Sequence, residues 1–245
     1  MYMENKVRQF QSELSESDKI VFFGGAGVST ASGIPDFRSA SGLFMQSTGK
    51  TYSAEEIISR SFFERNPEEF YDFYFDKLIY PDAKPNLAHS FLADLEKRGK
   101  DITIITQNID GLHQQAGSQN VLELHGSVLE NYCLTCGKNY SLNQLVRDEK
   151  GIPRCQEDAG IVRPDIVLYE EGLNQATIEA TISAIEEADM LIVAGTSLIV
   201  YPAAGLINYF KGKHFIVINK TPIQTYQPNA LIFEAALNDV FSQMR

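Results

Sequence analysis

Apolar side chains at Val7, Phe10 and Leu14 recur at helical spacing and predict a short covering helix over residues 4–17. The run Val21-Phe22-Phe23 that follows is continuous rather than alternating, as expected for a strand buried on both faces. Similar runs stand at Ile102–Thr106, Met190–Ala194 and Phe215–Ile218, the last clear strand, with shorter ones at Val121–Leu124 and Ile166–Tyr169. Helical spacing lies between them: Leu87, Phe91, Leu92 and Leu95, stopped by Gly99, and later Ile178, Ile182 and Ile185. Two stretches break this rhythm. Residues 39–82 are aromatic-rich helical text, whose rings are read as packing within a lobe, and residues 127–164 are polar and carry cysteines.

Strands alternating with helices predict an α/β fold built on a doubly wound parallel sheet, since each parallel crossover needs about a dozen residues. No internal repeat appears, and no linker is long enough to separate independent domains. Polar residues gather directly after the strands: Gly24–Thr30, Gln107–Asp110, His125, Thr196–Ser197 and Asn219. In such a sheet the carboxyl ends share one edge, where ligands bind. Gly25 and Gly27 fit the start of a G-x-G-x-x-G phosphate loop, but Thr30 stands at the third glycine. The loop is expected to open into a helix N-terminus. Its continuation, Ser32-Gly33-Ile34-Pro35-Asp36-Phe37-Arg38, puts a carboxylate, a ring and a guanidinium within three positions, which a plain connection does not require.

A net charge of −11 over 245 residues argues against nucleic acid phosphates or anionic membranes as partners, while an acidic surface suits lysine-rich peptides. No apolar run approaches the ~20 residues of a membrane span, and no signal-peptide core follows Met1, so a cytoplasmic location is expected. Three cysteines, two of them as Cys133-x-x-Cys136, argue against a disulfide scaffold and for a reduced compartment.

The blocks Gly25-Ala26-Gly27-Val28-Ser29 through Gly33-Ile34-Pro35-Asp36-Phe37-Arg38, Thr106-Gln107-Asn108-Ile109-Asp110, His125-Gly126 and Gly195-Thr196-Ser197-Leu198 resemble the signature blocks of the sirtuins, NAD-dependent protein deacylases, in the family's order. The resemblance implies a single catalytic domain: a Rossmann-type part (1–38, 86–125, 165–245) and a smaller part from two insertions, a helical lobe (39–85) and a zinc-type module (126–164). It implies that Gly25, Ala26, Gly27, Thr30, Asp36, Phe37 and Arg38 form the cofactor loop, and that Gln107 contacts the nicotinamide ribose. Ile109 and Asp110 shape the nicotinamide pocket, Asn108 orders the site for attack on the ribose, and Gly195, Thr196, Ser197 and Asn219 face the phosphates and adenosine. Val167 and Leu168 would add a backbone strand to the acylated protein substrate.

His125 is the implied catalytic base, since an imidazole with an ordinary pKa of ~6.5 suits proton removal at neutral pH. The products would be nicotinamide, free lysine and O-acyl-ADP-ribose, with acetyl the expected acyl group. The alternatives are protein mono-ADP-ribosylation in the same pocket and a non-catalytic NAD-binding module. His113 is read as structural, and His89 and His214 receive no role.

Three positions depart from the family's pattern or decide its subtype. Members that prefer succinyl or malonyl groups carry Tyr-x-x-Arg; the matching pair here is Tyr71 and Tyr74. Glu170 stands where a glycine is usual, adding bulk and charge beside the peptide groove. The structural zinc implied by two Cys-x-x-Cys pairs would be held by Cys133, Cys136, Cys155 and, in the fourth place, Asp158. The bland reading of that last set is a decayed site with Asp158 solvated.

Overall fold

A computed structural model describes residues 2–39, 42–45, 52–223 and 227–244. Helix α1 (Tyr2–Glu16) precedes β1 (Lys19–Gly24), and the helices α2 (Ala54–Ile57), α3 (Arg60–Arg65) and α4 (Pro67–Lys77) form the aromatic lobe. Then come α5 (Leu87–Lys97), β2 (Asp101–Thr106), α6 (Leu112–Ala116) and β3 (Val121–Glu123). The cysteine stretch supplies β4 (Gly126–Cys133), β5 (Asn139–Ser141) and β6 (Val162–Ile166). The chain ends with α7 (Gln175–Glu187), β7 (Met190–Ala194), β8 (His214–Asn219), β9 (Leu231–Glu234) and α8 (Leu237–Phe241). Among the described residues no helix is long and apolar enough to cross a membrane.

Six strands pair in parallel in the order β3-β2-β1-β7-β8-β9. The order reverses between β1 and β7, the switch point where doubly wound sheets open a crevice for ligands. Continuous apolar strands serve two cores because successive side chains point to opposite faces. Ile20, Phe22, Ile192 and Ile216 join α1, α5 and α8 in one core. Val21, Phe23, Val193 and Val217 join α7 and the 3₁₀ segment Ala203–Tyr209 in the other.

A second sheet, β5-β4-β6, is antiparallel. Phe62, Phe63, Phe70, Tyr71, Phe73 and Tyr74 of the lobe are buried together with Val128, Ile166 and Leu168, so the rings pack the lobe onto this sheet. Burying each ring contributes on the order of 1.5–3 kcal/mol.

The structure corrects several expectations. The segment after β1 forms two 3₁₀ turns, Ala26–Val28 and Thr30–Ser32, and not the N-terminus of an α-helix. Gly33 in the left-handed region (φ +87°) ends the second turn, and Pro35 follows. The apolar stretch Ile166–Tyr169 is not a strand of the parallel sheet: β6 stops at Ile166 and pairs antiparallel with β4. Ile166 and Leu168 are apolar because they pack on the aromatic lobe. Strand β9 and helix α8 follow the supposed last strand; four and five residues are too short for periodicity to reveal. Of the expected helical insertion, residues 40–41 and 46–51 lie outside the described residues.

Candidate active site

The carboxyl edge of the parallel sheet opens into a cavity of about 1140 Å³, closed on its far side by the aromatic lobe and the antiparallel sheet. Gly25, Ala26, Gly27, Thr30, Asp36, Phe37, Arg38, Gln107, Asn108, Ile109, Asp110, His125, Val167, Leu168, Gly195, Thr196, Ser197 and Asn219 all line it. The loops after all six strands of the parallel sheet thus converge on one space.

Close backbone contact explains the glycines. Gly27 N–H donates to Gly195 O at 2.8 Å and Gly25 N–H to Ala194 O at 3.2 Å. A Cβ on Gly27 would lie 2.8 Å from Gly195, which itself sits at φ +58°. Glycine therefore serves to interlock the β1 and β7 loops across the switch point.

Beneath that contact Ser29, only 1% exposed, joins two polar groups. Its hydroxyl donates to Asp110 Oδ2 at 2.6 Å and accepts from Asn108 Nδ2 at 3.1 Å. Asp110 Oδ1 accepts from Leu112 N–H at 2.9 Å, and Asn108 N–H donates to Thr106 Oγ1 at 3.0 Å. Gln107 Nε2 donates to Thr196 Oγ1 at 3.2 Å, tying the β2 loop to the β7 loop. Thr30 Oγ1 donates to Gly27 O at 3.1 Å, and Asn219 Nδ2 donates to Thr221 O at 2.9 Å.

His125 Nδ1 stands 2.9 Å from Gln107 O. A carbonyl only accepts, so this contact assigns the proton to Nδ1 and leaves Nε2 with its lone pair. Burial lowers the imidazole pKa from its ordinary value, partly opposed by the Gln107 carbonyl. His125 is thus a neutral imidazole poised to accept a proton.

Asp36 Oδ1 accepts from Arg38 N–H at 3.0 Å and Ser39 N–H at 2.7 Å, turning the loop so that Phe37 and Arg38 face the cavity. Arg38 Nη2 donates to Tyr169 OH at 3.2 Å, and its guanidinium lies 5.2 Å from the Phe44 ring centroid.

Ser29 and Glu170 carry more of this geometry than sequence reasoning assigned them. A serine in a small-residue turn is unremarkable by itself; only the fold brings it between Asn108 and Asp110. Glu170 has φ +74°, a conformation glycine adopts freely, and its carboxylate accepts from Ser61 N–H at 2.9 Å and Ser61 Oγ at 3.0 Å. The carboxylate is therefore anchored on α3. Its neighbour Glu171 takes Arg163 bidentately at 2.8 and 3.1 Å and accepts from Leu168 N–H at 2.9 Å.

His89 and His113 lie outside this set, with buried rings 4.7 Å apart. Burial lowers their pKa values to about 4 and about 3, so both stay neutral. His89 Nδ1 accepts from Asn86 N–H at 3.2 Å within the α5 cap. His214 lies between Glu13 and Glu16. Tyr71 OH donates to Val162 O at 2.7 Å, and neither Tyr71 nor Tyr74 lines the cavity.

In the antiparallel module the ligand atoms of Cys133, Cys136, Cys155 and Asp158 all lie within 4.8 Å of one another. Cys136 Sγ is 3.7 Å from Cys155 Sγ, and Cys133 Sγ is 3.4 Å from Asp158 Oδ1. A tetrahedron with ~2.3 Å zinc–sulfur bonds has edges of about 3.8 Å, so the set fits zinc. Donors surround it: Thr135 N–H and Glu157 N–H point at Cys133 and Cys155 Sγ, Tyr140 OH reaches Cys155 Sγ at 3.2 Å, and Gly160 N–H holds Asp158 Oδ1 at 2.8 Å. Such outer donors orient the ligands of a metal. The cysteines form no disulfide.

Comparison with known proteins agrees with this geometry. The sequence profile described as the Sir2 family matches residues 25–202. The chain is 53% identical over 243 residues, 99% of each chain, to a Clostridium perfringens protein named NAD-dependent protein deacetylase. It is 46% identical over 218 residues, 89% of each, to a Staphylococcus aureus protein of the same name. Among solved structures, one described as Sir2 bound to acetylated peptide superposes with a TM-score of 0.83 at 36% identity, covering 96% of this chain and 95% of that one. Another, from work on sirtuin substrate affinity, superposes with a TM-score of 0.85 at 37% identity over 97% of both. With this fold, these loops around one cavity and these likenesses, the chain belongs to the Sir2 family, the sirtuins.

Proposed function

We propose that the protein is an NAD-dependent protein-lysine deacylase acting on acetyl-lysine; its relatives are named NAD-dependent protein deacetylase. One observation carries the reading: the Gln107 carbonyl engages His125 Nδ1, which leaves Nε2 to accept a proton, in the cavity that also holds the Ser29–Asn108–Asp110 network. NAD, when bound, supplies an electrophilic ribose carbon and a nicotinamide leaving group. Gly25, Ala26, Gly27, Thr30, Asp36, Phe37 and Arg38 would hold it from one side, and Gly195, Thr196, Ser197 and Asn219 from the other. Asp110, fixed by Ser29, would orient the carboxamide, with Ile109 as the apolar wall and Gln107 at the ribose. Asn108 orders the site, and His125 Nε2 takes a proton from a ribose hydroxyl. Positioning groups in this way converts an encounter into an oriented reaction. Val167 and Leu168 would hold the acylated chain.

Zinc in the Cys133, Cys136, Cys155 and Asp158 set would be structural, since four protein ligands leave no open position. The same reading divides the chain into a Rossmann-type part (1–38, 86–125, 165–245) and a smaller part, and places it in the cytoplasm, where unpaired cysteines such as these persist. Mass spectrometry of an acetyl-lysine peptide with NAD tests the function. O-acetyl-ADP-ribose and a peptide lighter by one acetyl group are expected. An added ADP-ribose would make the protein a mono-ADP-ribosyltransferase, and no change would leave only an NAD-binding module.

A further inference from the structure

Glu170 combines three properties that a connecting turn does not need. Its backbone is in the left-handed region at φ +74°, where side chains other than those of glycine, asparagine and aspartate are uncommon. Its carboxylate is fixed rather than free, held by both Ser61 N–H and Ser61 Oγ. The residue is also exposed on the wall of the cavity, two positions beyond Leu168. Strained backbone of this kind persists where the surroundings over-determine it, and it clusters at binding sites.

Among the described residues no cation pairs directly with this carboxylate: Arg60 is taken by Glu64 at 2.8 Å and Arg163 by Glu171 at 2.8 Å. Arg38 engages the Tyr169 hydroxyl and approaches Glu55 at 3.9 Å. The two donors on Ser61 are neutral, and Ser61 also holds Arg65, whose Nε donates to Ser61 O at 2.9 Å and Nη2 to Ser61 Oγ at 3.5 Å, so this guanidinium meets the carboxylate only through that hydroxyl. The position of Glu170 is rigid as well. Tyr169 N–H donates to Ile58 O and Arg60 N–H donates to Tyr169 O, so segments 58–61 and 169–170 are laced together.

We propose that Glu170 is a specificity-determining residue that selects substrates carrying lysine or arginine beside the acyl-lysine. This rests on the deacylase reading and on Val167 and Leu168 holding the substrate backbone. Glu170 follows Leu168 by two residues, at most roughly 7 Å of chain, and lines the same cavity, so a peptide seated on Leu168 runs past it. An acidic flank would meet repulsion at the same place. The attraction is between exposed charges, so it fades as salt screens it.

The test is fluorescence anisotropy with labelled acetyl-lysine peptides whose neighbouring residues are lysine, alanine or glutamate, with nicotinamide release measured in parallel. At low ionic strength the lysine-flanked peptide is expected to bind roughly five- to tenfold more tightly than the glutamate-flanked one, as for unit charges a few ångströms apart near water. In Glu170→Gln that ratio should fall close to one. Glu170→Gly, which relaxes the backbone, supplies the same readout where the amide variant does not fold. High salt should compress the wild-type ratio towards that of the variants. Equal affinities in the wild type, or a preference that survives in a folded variant, would overturn the proposal. Charge-selective binding without NAD-dependent nicotinamide release would instead overturn the deacylase reading and leave the selection standing.

Discussion

The Ser29 hydroxyl lies 2.6 Å from Asp110 Oδ2, the shortest link in the polar network beneath the cavity, and donates its only proton there. The same oxygen receives Asn108 Nδ2, so one buried side chain sets two groups assigned here to NAD. Ser29→Ala would leave a carboxylate oxygen and an amide hydrogen without partners, at about 1–3 kcal/mol of stability, and would free both groups from their set positions. Circular dichroism should stay near wild type and the melting temperature fall by several degrees, while steady-state nicotinamide release falls at temperatures where the variant is folded. Wild-type turnover in the alanine variant would remove Ser29 from the mechanism.

Burial holds the His125 pKa below that of an ordinary imidazole. The neutral form is the one that accepts a proton, and it prevails above the pKa. Activity should therefore rise with pH through a limb placed below the ordinary value of ~6.5 and be level by neutrality. His125→Ala should lose that limb together with at least ~10²-fold of the rate while still binding NAD. An unchanged acid limb in a residually active variant would assign it to another group.

Three thiolates and one carboxylate make a weaker zinc site than four thiolates, because zinc is borderline soft and oxygen a harder donor. Protein purified without chelator should carry about one zinc per chain by elemental analysis. Asp158→Ala should lose it and melt at a lower temperature. Asp158→Cys should keep zinc against a chromophoric chelator that strips the wild type. Less than about a tenth of an equivalent in folded wild type would show that the four residues hold no zinc.

Tyr71 spends its hydroxyl on Val162 O, and Tyr74 lies buried with its hydroxyl unpartnered among the described residues. Neither offers the bidentate cation that grips an acyl carboxylate. Acetyl peptides should exceed succinyl versions of the same sequence in kcat/KM by at least tenfold. Comparable values would point to a different carboxylate partner within the cavity.

Much of this is legible in the sequence because both signals, apolar strands and the polar residues after them, are local and repeated. Ile20–Phe23 and Met190–Ala194 are apolar without interruption, which fits only strands covered on both faces, and polar residues follow each one. Elsewhere the deciding forces act between distant residues. Val167 and Leu168 look like the end of a strand, yet Val167 N–H is taken by His125 O and Leu168 N–H by Glu171, so the ladder ends at Ile166. The 3₁₀ turns after β1 follow from contact with Gly195, some 170 residues away in sequence. Glu170 could be recognised as unusual, but its attachment to Ser61 could not be read from either residue alone.

The register in which Gly126 faces Ile166 gives the molecule a seam. Immediately before Gly126 stands His125; immediately after Ile166 stands Val167, whose N–H is bonded to His125 O at 3.0 Å. Gly126, at φ +73°, has no room for a side chain against the Asp165 carbonyl. The proposed base and the proposed docking segment are thus stitched together where the chain crosses from one sheet to the other. A substrate backbone seated on Val167, as proposed, would lie one hydrogen bond from the imidazole-bearing residue, so docking and proton transfer would share a single fulcrum.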